Sequence, residues 1–279
     1  MINDDPQTHD IIQIISKLSD TCRKGNYLER AMSQLQEKHQ LILCVGVEIE
    51  FYLSQNIDIN LFESILGYKL QKEDGLNQYE VQLDPTIDLA YYCDNIINII
   101  NDIKNCAKQL SGVANLESKP YFNDYGNSMH FHINFISISN RTIKENLYEF
   151  SARSICHFME ETFLAINSRK NDYLRLDHKY MAPTHISYGN NNRSVAIRIP
   201  ASYPKRLEYR LPNPNSDPYL TILILLKSII FGLDFPDKIT NLDKIYGNAW
   251  DRQYNLVSLP QNIIQSFQLF NKSFFTFLT

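Results

Sequence analysis

The 279-residue chain is 44% hydrophobic and 21% charged with only 9 Gly, which excludes collagen-like, disordered and low-complexity classes. A net charge of −4 provides no basic field to gather nucleic acid or anionic lipid. Five widely spaced cysteines without a C-x-x-C pair (Cys22, Cys44, Cys93, Cys106, Cys156) exclude a disulfide framework and a zinc ribbon. The N-terminus MINDDPQTHD is acidic where a signal peptide is basic, and the most apolar run, from Tyr219, is interrupted by Lys227 and too short to span a bilayer. The expectation is a cytoplasmic protein with neither nucleic-acid nor membrane partners. A chain this long buries roughly three quarters of its unfolded surface, so a metal site in it serves function rather than folding.

Apolar positions at three- and four-residue spacing over residues 7 to 39, broken at Gly25-Asn26, predict two helices. A strand follows from Leu41, then a helix near 60 to 66, an extended stretch to Leu83 and a long helix from about 88 to 110. Extended runs are expected near 114 to 122 and 128 to 138, then a helix near 143 to 167, a loop to Asn192 and two short strands ending at Pro212. The remainder, with the 219 to 233 run and the end from Leu259, reads as mainly helical. Without repeats or a Gly/Ser/Pro linker, residues 1–279 read as one α+β domain.

Residues i and i+2 of a strand share a face. In LILCVGVEIEFYL the odd positions from Leu41 to Leu53 are all apolar, while the even face carries Glu48 and Glu50. The same sorting sets His130, His132 and Asn134 against Met129, Phe131, Ile133 and Phe135. It also sets Arg206, Glu208 and Arg210 against Leu207, Tyr209 and Leu211. Glu80 with Gln82, and Ser194 with Arg198, stand likewise opposite apolar faces. A solvated sheet face favours Lys, Thr, Ser and Gln; these faces contain no lysine and collect glutamate, histidine and arginine. Carboxylates with an imidazole suit Mg2+ or Mn2+, arginine forks match phosphate oxygens, and like charges this close need a cation between them. The pattern predicts metal-assisted phosphoryl transfer.

At these residues the sequence resembles the glutamine synthetase family. VGVEIEFYL from Val45 is similar to its opening catalytic strand, EDGLNQYEV from Glu73 to its Glu-…-Gln-x-Glu segment, and GNSMHFHINF from Gly126 to its Gly-Ser-Gly-Met-His-x-His motif. NDYLRL from Asn171 resembles Asn-Ser-Tyr-Lys-Arg-Leu, and YGNNNRSVAIRIP from Tyr188 and RLEYRLPNPNSDPYL from Arg206 resemble the two most telling blocks. The resemblance implies a curved antiparallel sheet flanked by helices, a half-open barrel, that uses ATP and two or three Mg2+ or Mn2+ ions. It assigns Glu50, Glu73 and Glu80 to the metal beside the substrate carboxylate, and Glu48, His130 and Glu208 to the metal at the ATP phosphates. The Glu73 to Glu80 spacing is odd, so a turn at residues 74 to 77 has to bring the two together. By the same resemblance Arg175 would clamp the carboxylate of the amino-acid substrate, with Gly126 in its binding loop. The resemblance also implies that Arg193, Arg198 and Arg210 neutralise the transferring phosphoryl group and that His132 and Arg206 lie by the nucleotide. Met129, Phe131 and Tyr209 read as core.

Three departures shape the functional expectation. KYMAP places Met181 where the family's flap carries the glutamate that closes the site and deprotonates ammonium. Only 47 residues precede Glu48, and residues 1 to 40 read as a helical extension in place of the family's N-terminal sheet domain. Asn127 and Ser128 stand in the glycine-rich loop, which is then less free to adopt positive φ. The expected function is an ATP-dependent ligase that activates glutamate or a related carboxylate as an acyl phosphate. It then joins it to an amine other than ammonia, a small molecule or a protein side chain, in an oligomer unlike the family's double ring. The alternatives are an inactive nucleotide-binding or regulatory module and a phosphotransferase on the same fold.

Overall fold

A computed structural model describes the chain from Pro6 to Leu278; residues 1–5 of the N-terminal extension and Thr279 lie outside the described residues. The extension forms two helices, α1 (Pro6–Lys24) and α2 (Tyr27–His39). Leu28, Ala31 and Leu35 turn the buried stripe of α2 inward. The strand β1 (Leu41–Leu53) follows, then α3 (Ile59–Leu66), β2 (Leu70–Lys72), β3 (Gln78–Thr86), α4 (Leu89–Gln109), β4 (Ala114–Asn115) and β5 (Met129–Ser137). The C-terminal half contains α5 (Glu145–His157), α6 (Met159–Ile166), α7 (Lys170–Leu174), β6 (Tyr188–Asn190), β7 (Ile197–Ile199), β8 (Leu207–Tyr209), α8 (Pro218–Asp234) and α9 (Ile263–Leu278).

The strands form one open eight-stranded sheet in the order β2-β3-β1-β5-β8-β7-β6, with β4 paired to the end of β1. All pairs are antiparallel except β6 with β7, which run parallel. The all-antiparallel expectation is therefore corrected at that edge. The apolar parity face of β1 (Leu43, Val45, Val47, Ile49, Phe51) is at most 2% exposed and joins one core with α2, α4, α5, α6 and α8. The apolar run from Tyr219 is α8, buried on nearly every side, which explains why it lacks a polar stripe. Asp217 caps α8 through Leu220 N (2.9 Å) with Pro218 opening the helix, and its other oxygen accepts from Ser19 Oγ of α1 (2.7 Å).

Other departures from the expected elements have local causes. Of the extended run 114 to 122 only Ala114–Asn115 is strand; the rest is a loop whose backbone bonds to side chains instead of a neighbouring strand. The helix expected over 143 to 167 breaks at Phe158 (φ −103, ψ 7) into α5 and α6. The loop to Asn192 contains α7, a 3-10 turn at His178–Tyr180 and β6. Residues 235 to 262 are turns and short 3-10 segments rather than helix, because Pro236, Gly247 and Pro260 interrupt any helical repeat. Among the described residues no helix is long and apolar enough to cross a membrane.

Candidate active site

The register lines the even-face residues up across five strands. Glu48 on β1 stands directly opposite His130 on β5, Glu50 opposite Glu80 on β3, His132 opposite Glu208 on β8, and Arg198 on β7 opposite Glu208. The turn expected between Glu73 and Glu80 is present: Glu73 N bonds Gln78 O (3.0 Å), Gln78 N bonds Gly75 O (3.2 Å), and Asn77 takes φ 59. Both glutamates thereby reach one cavity of about 310 Å3. Every residue singled out from the sequence lines it: Glu48, Glu50, Glu73, Glu80, His130 and Glu208; Arg175 and Gly126; and Arg193, Arg198, Arg206, Arg210 and His132. A second recess of about 240 Å3 adjoins it, walled by Gly46, Pro85, Asn134 and Pro204 and sharing His132 and Arg206.

Charge is concentrated here. Glu48 Oε1 lies 2.5 Å from His130 Nδ1 and its Oε2 3.0 Å from His132 Nε2. Glu208 lies 3.7 Å from His130 Nδ1 and receives Arg198 Nη1 at 2.7 Å and Arg210 Nη1 at 3.2 Å. Burial alone would raise both carboxyls, but His130 and His132 hold Glu48 well below the usual carboxylate range. His130, Arg210 and Arg198 lower Glu208. Glu73 and Glu80 lack such partners. Burial, then the neighbouring glutamate charges, push Glu73 up to about 7 and Glu80 up to about 8.

Two observations bear on what the cavity accepts. Ligand atoms of Glu48, His130 and Glu208 lie within 4.8 Å of one another, a spacing and donor set that suit Mg2+ or Mn2+. The Nε atoms of Arg175, Arg198 and Arg210 are buried without a hydrogen-bond partner, which fits anionic groups entering beside them. Arg175 is 3% exposed, and burial lowers it to about 10. Its Nη atoms donate to the carbonyls of Arg210 (3.5 Å) and Leu211. A Cβ at Gly126 would sit 2.7 Å from Ser118 O and overlap the Arg175 stem, so the close approach of loop and guanidinium requires glycine.

Sequence reasoning missed the residues that hold these groups in place. Gln78 is 2% exposed. Its Nε2 donates to Gly126 O (2.9 Å), Asn127 Oδ1 (3.1 Å) and Glu50 Oε2 (3.4 Å), and its Oε1 accepts from Gly75 N (3.1 Å). Parity carried one step back from Glu80 would have placed Gln78 on the charged face. Asn127, fully buried, donates to Asn115 O (3.0 Å) and Glu117 O (2.9 Å). It substitutes side-chain bonds for glycine's freedom, and neither it nor Ser128 takes positive φ. Lys119, Tyr125 and Tyr180 also enclose or support the cavity, and no periodic signal in the sequence marks them because loops bring them together.

This sheet, with a charged row on one face and helices on the other, is the architecture of a family-level match. The family described as glutamine synthetase, catalytic domain, matches residues 68–278, and the chain belongs to it. It is 33% identical over 173 residues to glutamine synthetase of Pyrococcus woesei, covering 59% of this chain and 39% of that one. It is 26% identical over 291 residues to gamma-glutamylputrescine synthetase PuuA of Escherichia coli (strain K12), covering 86% and 60%. The chain thus spans less than two thirds of the length of these relatives. Among solved structures, a GmaS/ADP complex superposes with TM-score 0.74 at 20% identity over 91% of this chain and 69% of that one. The Plasmodium falciparum glutamine synthetase solved by cryo-EM gives 0.73 at 15% over 91% and 71%. Identities this low carry the fold alone.

Proposed function

We propose that the chain is an ATP-dependent ligase that activates the side-chain carboxylate of glutamate, or of a related carboxylate, as an acyl phosphate and passes the acyl group to an amine other than ammonia. The observation that carries this reading is the row Glu48, His130, Glu208, with Arg198 and Arg210 on Glu208, in the same cavity as the buried Arg175. Glu48, His130 and Glu208 would hold one divalent ion, and Glu50, Glu73 and Glu80 another. Bound there, the ions supply positive charge to the phosphate oxygens and to the attacking carboxylate. Arg198, Arg210 and the exposed Arg193 neutralise the phosphoryl group in transfer, Arg175 fixes the substrate's α-carboxylate, and Gly126 lets the substrate loop lie against it. His132 and Arg206, joined by an Arg206 Nε to His132 Nδ1 bond of 3.2 Å, flank the recess where the nucleotide base would sit.

Met181 favours an amine that arrives neutral. By resemblance it occupies the flap position where a glutamate deprotonates ammonium, and a thioether accepts no proton at neutral pH. The relative named gamma-glutamylputrescine synthetase supports a larger amine in this family.

The test uses hydroxylamine, a small acceptor that is neutral at pH 7, with ATP, glutamate and Mg2+ or Mn2+. Wild type forms the γ-hydroxamate with release of ADP, and Glu208→Ala abolishes both. ATP binding without turnover under all these conditions would establish the regulatory-module reading instead.

A further inference from the structure

Away from the reaction cavity, a separate cavity of about 400 Å3 is lined on one side by α5 and the start of α6 and on the other by residues 240–257. Its outer wall is pinned. Thr240 N donates to His157 Nδ1 (3.3 Å) and Lys244 pairs with Glu149, both on α5. Ile245 N donates to Tyr188 O (2.9 Å), and Asn192 Nδ2 donates to Gly247 O (2.8 Å). Four ties thus hold residues 240–247 to α5, β6 and the loop after it, and a cavity remains between these layers.

The charges lining it are unmatched. Arg153, His157 and Glu160 follow at steps of four and three residues, so they share one side of α5 and α6, and all three line the cavity. Glu149, one turn before Arg153 and its ordinary helical partner, is taken by Lys244. Among the described residues the Arg153 guanidinium makes no hydrogen bond or ion pair; its Nε is buried, and its Cζ stands 5.6 Å from the Phe150 centroid. A buried donor of this kind calls for an acceptor. Glu160 has no such partner either among the described residues, and burial, then the Glu161 charge, raise its carboxyl. Asp243, exposed on the facing wall, is a second carboxylate without a partner among the described residues. Ile186, Leu242 and Leu256 add apolar lining.

We propose that this cavity is a second ligand site, and that its ligand is a basic α-amino acid of the lysine type. The inference does not rest on the ligase reading. One unpaired cation and two unpaired carboxylates call for one carboxylate and two amines. An anion alone would pair with Arg153 but bring a like charge to Glu160 and Asp243, and a diamine would leave Arg153 unanswered. A neutral amino acid holds its two charges on one carbon, whereas Glu160 lies seven positions after Arg153, about 10 Å along a helix. A carboxylate on the Arg153 fork, methylenes on the apolar lining and a side-chain ammonium at Glu160 span that distance. The α-ammonium is left for Asp243.

Calorimetric titration of the full chain, without ATP or metal, compares lysine with norleucine, which lacks the side-chain amine, and with 1,5-diaminopentane, which lacks the carboxylate. The expected result is saturable binding of lysine at least about tenfold tighter than that of either control. Arg153→Met and Glu160→Gln each weaken it at least about tenfold, while Glu208→Ala in the reaction cavity leaves it unchanged. If Arg153→Met lowers the melting temperature, Glu160→Gln, at a partly exposed position, carries the test. No saturable binding of lysine, a control that binds as well, binding unchanged in Glu160→Gln, or binding lost in Glu208→Ala overturns the inference. The hydroxamate assay decides the ligase reading separately, so either can fail while the other stands.

Discussion

The two faces of the central strands carry opposite energetics on one backbone. On the covered face Leu43, Val45, Val47, Ile49, Phe131 and Tyr209 are at most 2% exposed and contribute in proportion to the apolar area removed from water. On the open face Glu50 stands directly across from Glu80, a like-charge pair that opposes pairing, and burial together with the neighbouring glutamate charges raises both Glu73 and Glu80. One face stabilises the sheet while the other spends part of that stability to hold charges ready for ligands. Carboxylates this close persist because burial and mutual repulsion raise Glu73 to about 7 and Glu80 to about 8, so the metal-free protein keeps protons among them.

The largest effect is expected from the covered face. Phe131→Ala removes a fully buried ring and costs about 3–5 kcal/mol in urea denaturation; a loss under 1 kcal/mol would break the comparison. Next, ATP with Mg2+ or Mn2+ at a hundredfold above Kd adds about 2.7 kcal/mol to wild type, read as a rise in melting temperature. That gain disappears in Glu50→Ala or with chelator. Third, Glu80→Gln relieves the like-charge pair and stabilises the metal-free protein by up to about 1 kcal/mol, while weakening its response to metal. A destabilised Glu80→Gln would mean that the open face does not oppose folding.

The smallest effect is in the pH profile of the metal-free protein. Glu73 at about 7 and Glu80 at about 8 lie above the ordinary carboxylate value, so the folded state keeps protons that the unfolded chain releases. Stability falls as pH rises from about 4.5 through 8. Glu48 and Glu208, held low, act oppositely, and their contribution is lost as pH falls below the ordinary carboxylate range. Thermal unfolding at several pH values checks this, and Glu80→Gln flattens the alkaline side.

Parity alone placed Glu48, Glu50, Glu80, His130, His132, Arg198 and Glu208 on the charged faces of their strands, and the register then set several of them opposite one another. The resemblance added Glu73, Gly126, Arg175 and Arg193, which sit on loops or turns without parity. Gln78 and Asn127 escaped notice because an amide's role depends on which carbonyls reach it. Gln78 bonds Gly126 from 48 positions away. Residues 116 to 122 were expected to be extended, but this loop bonds through Asn127 and Asn171 rather than to a neighbouring strand.

The sequence by itself determined most of the helices and main strands and which face of each strand is apolar, since these follow from periodicities of 2 and 3.6 that local backbone geometry imposes, while the full set of charged groups came from the family resemblance. The parallel β6–β7 edge, the Gln78 and Asn127 clamp and the cavity between α5 and residues 240–257 were decided only in the tertiary structure. Each depends on groups distant in the chain whose contact is set by packing of the whole sheet and its loops, and no local repeat encodes it.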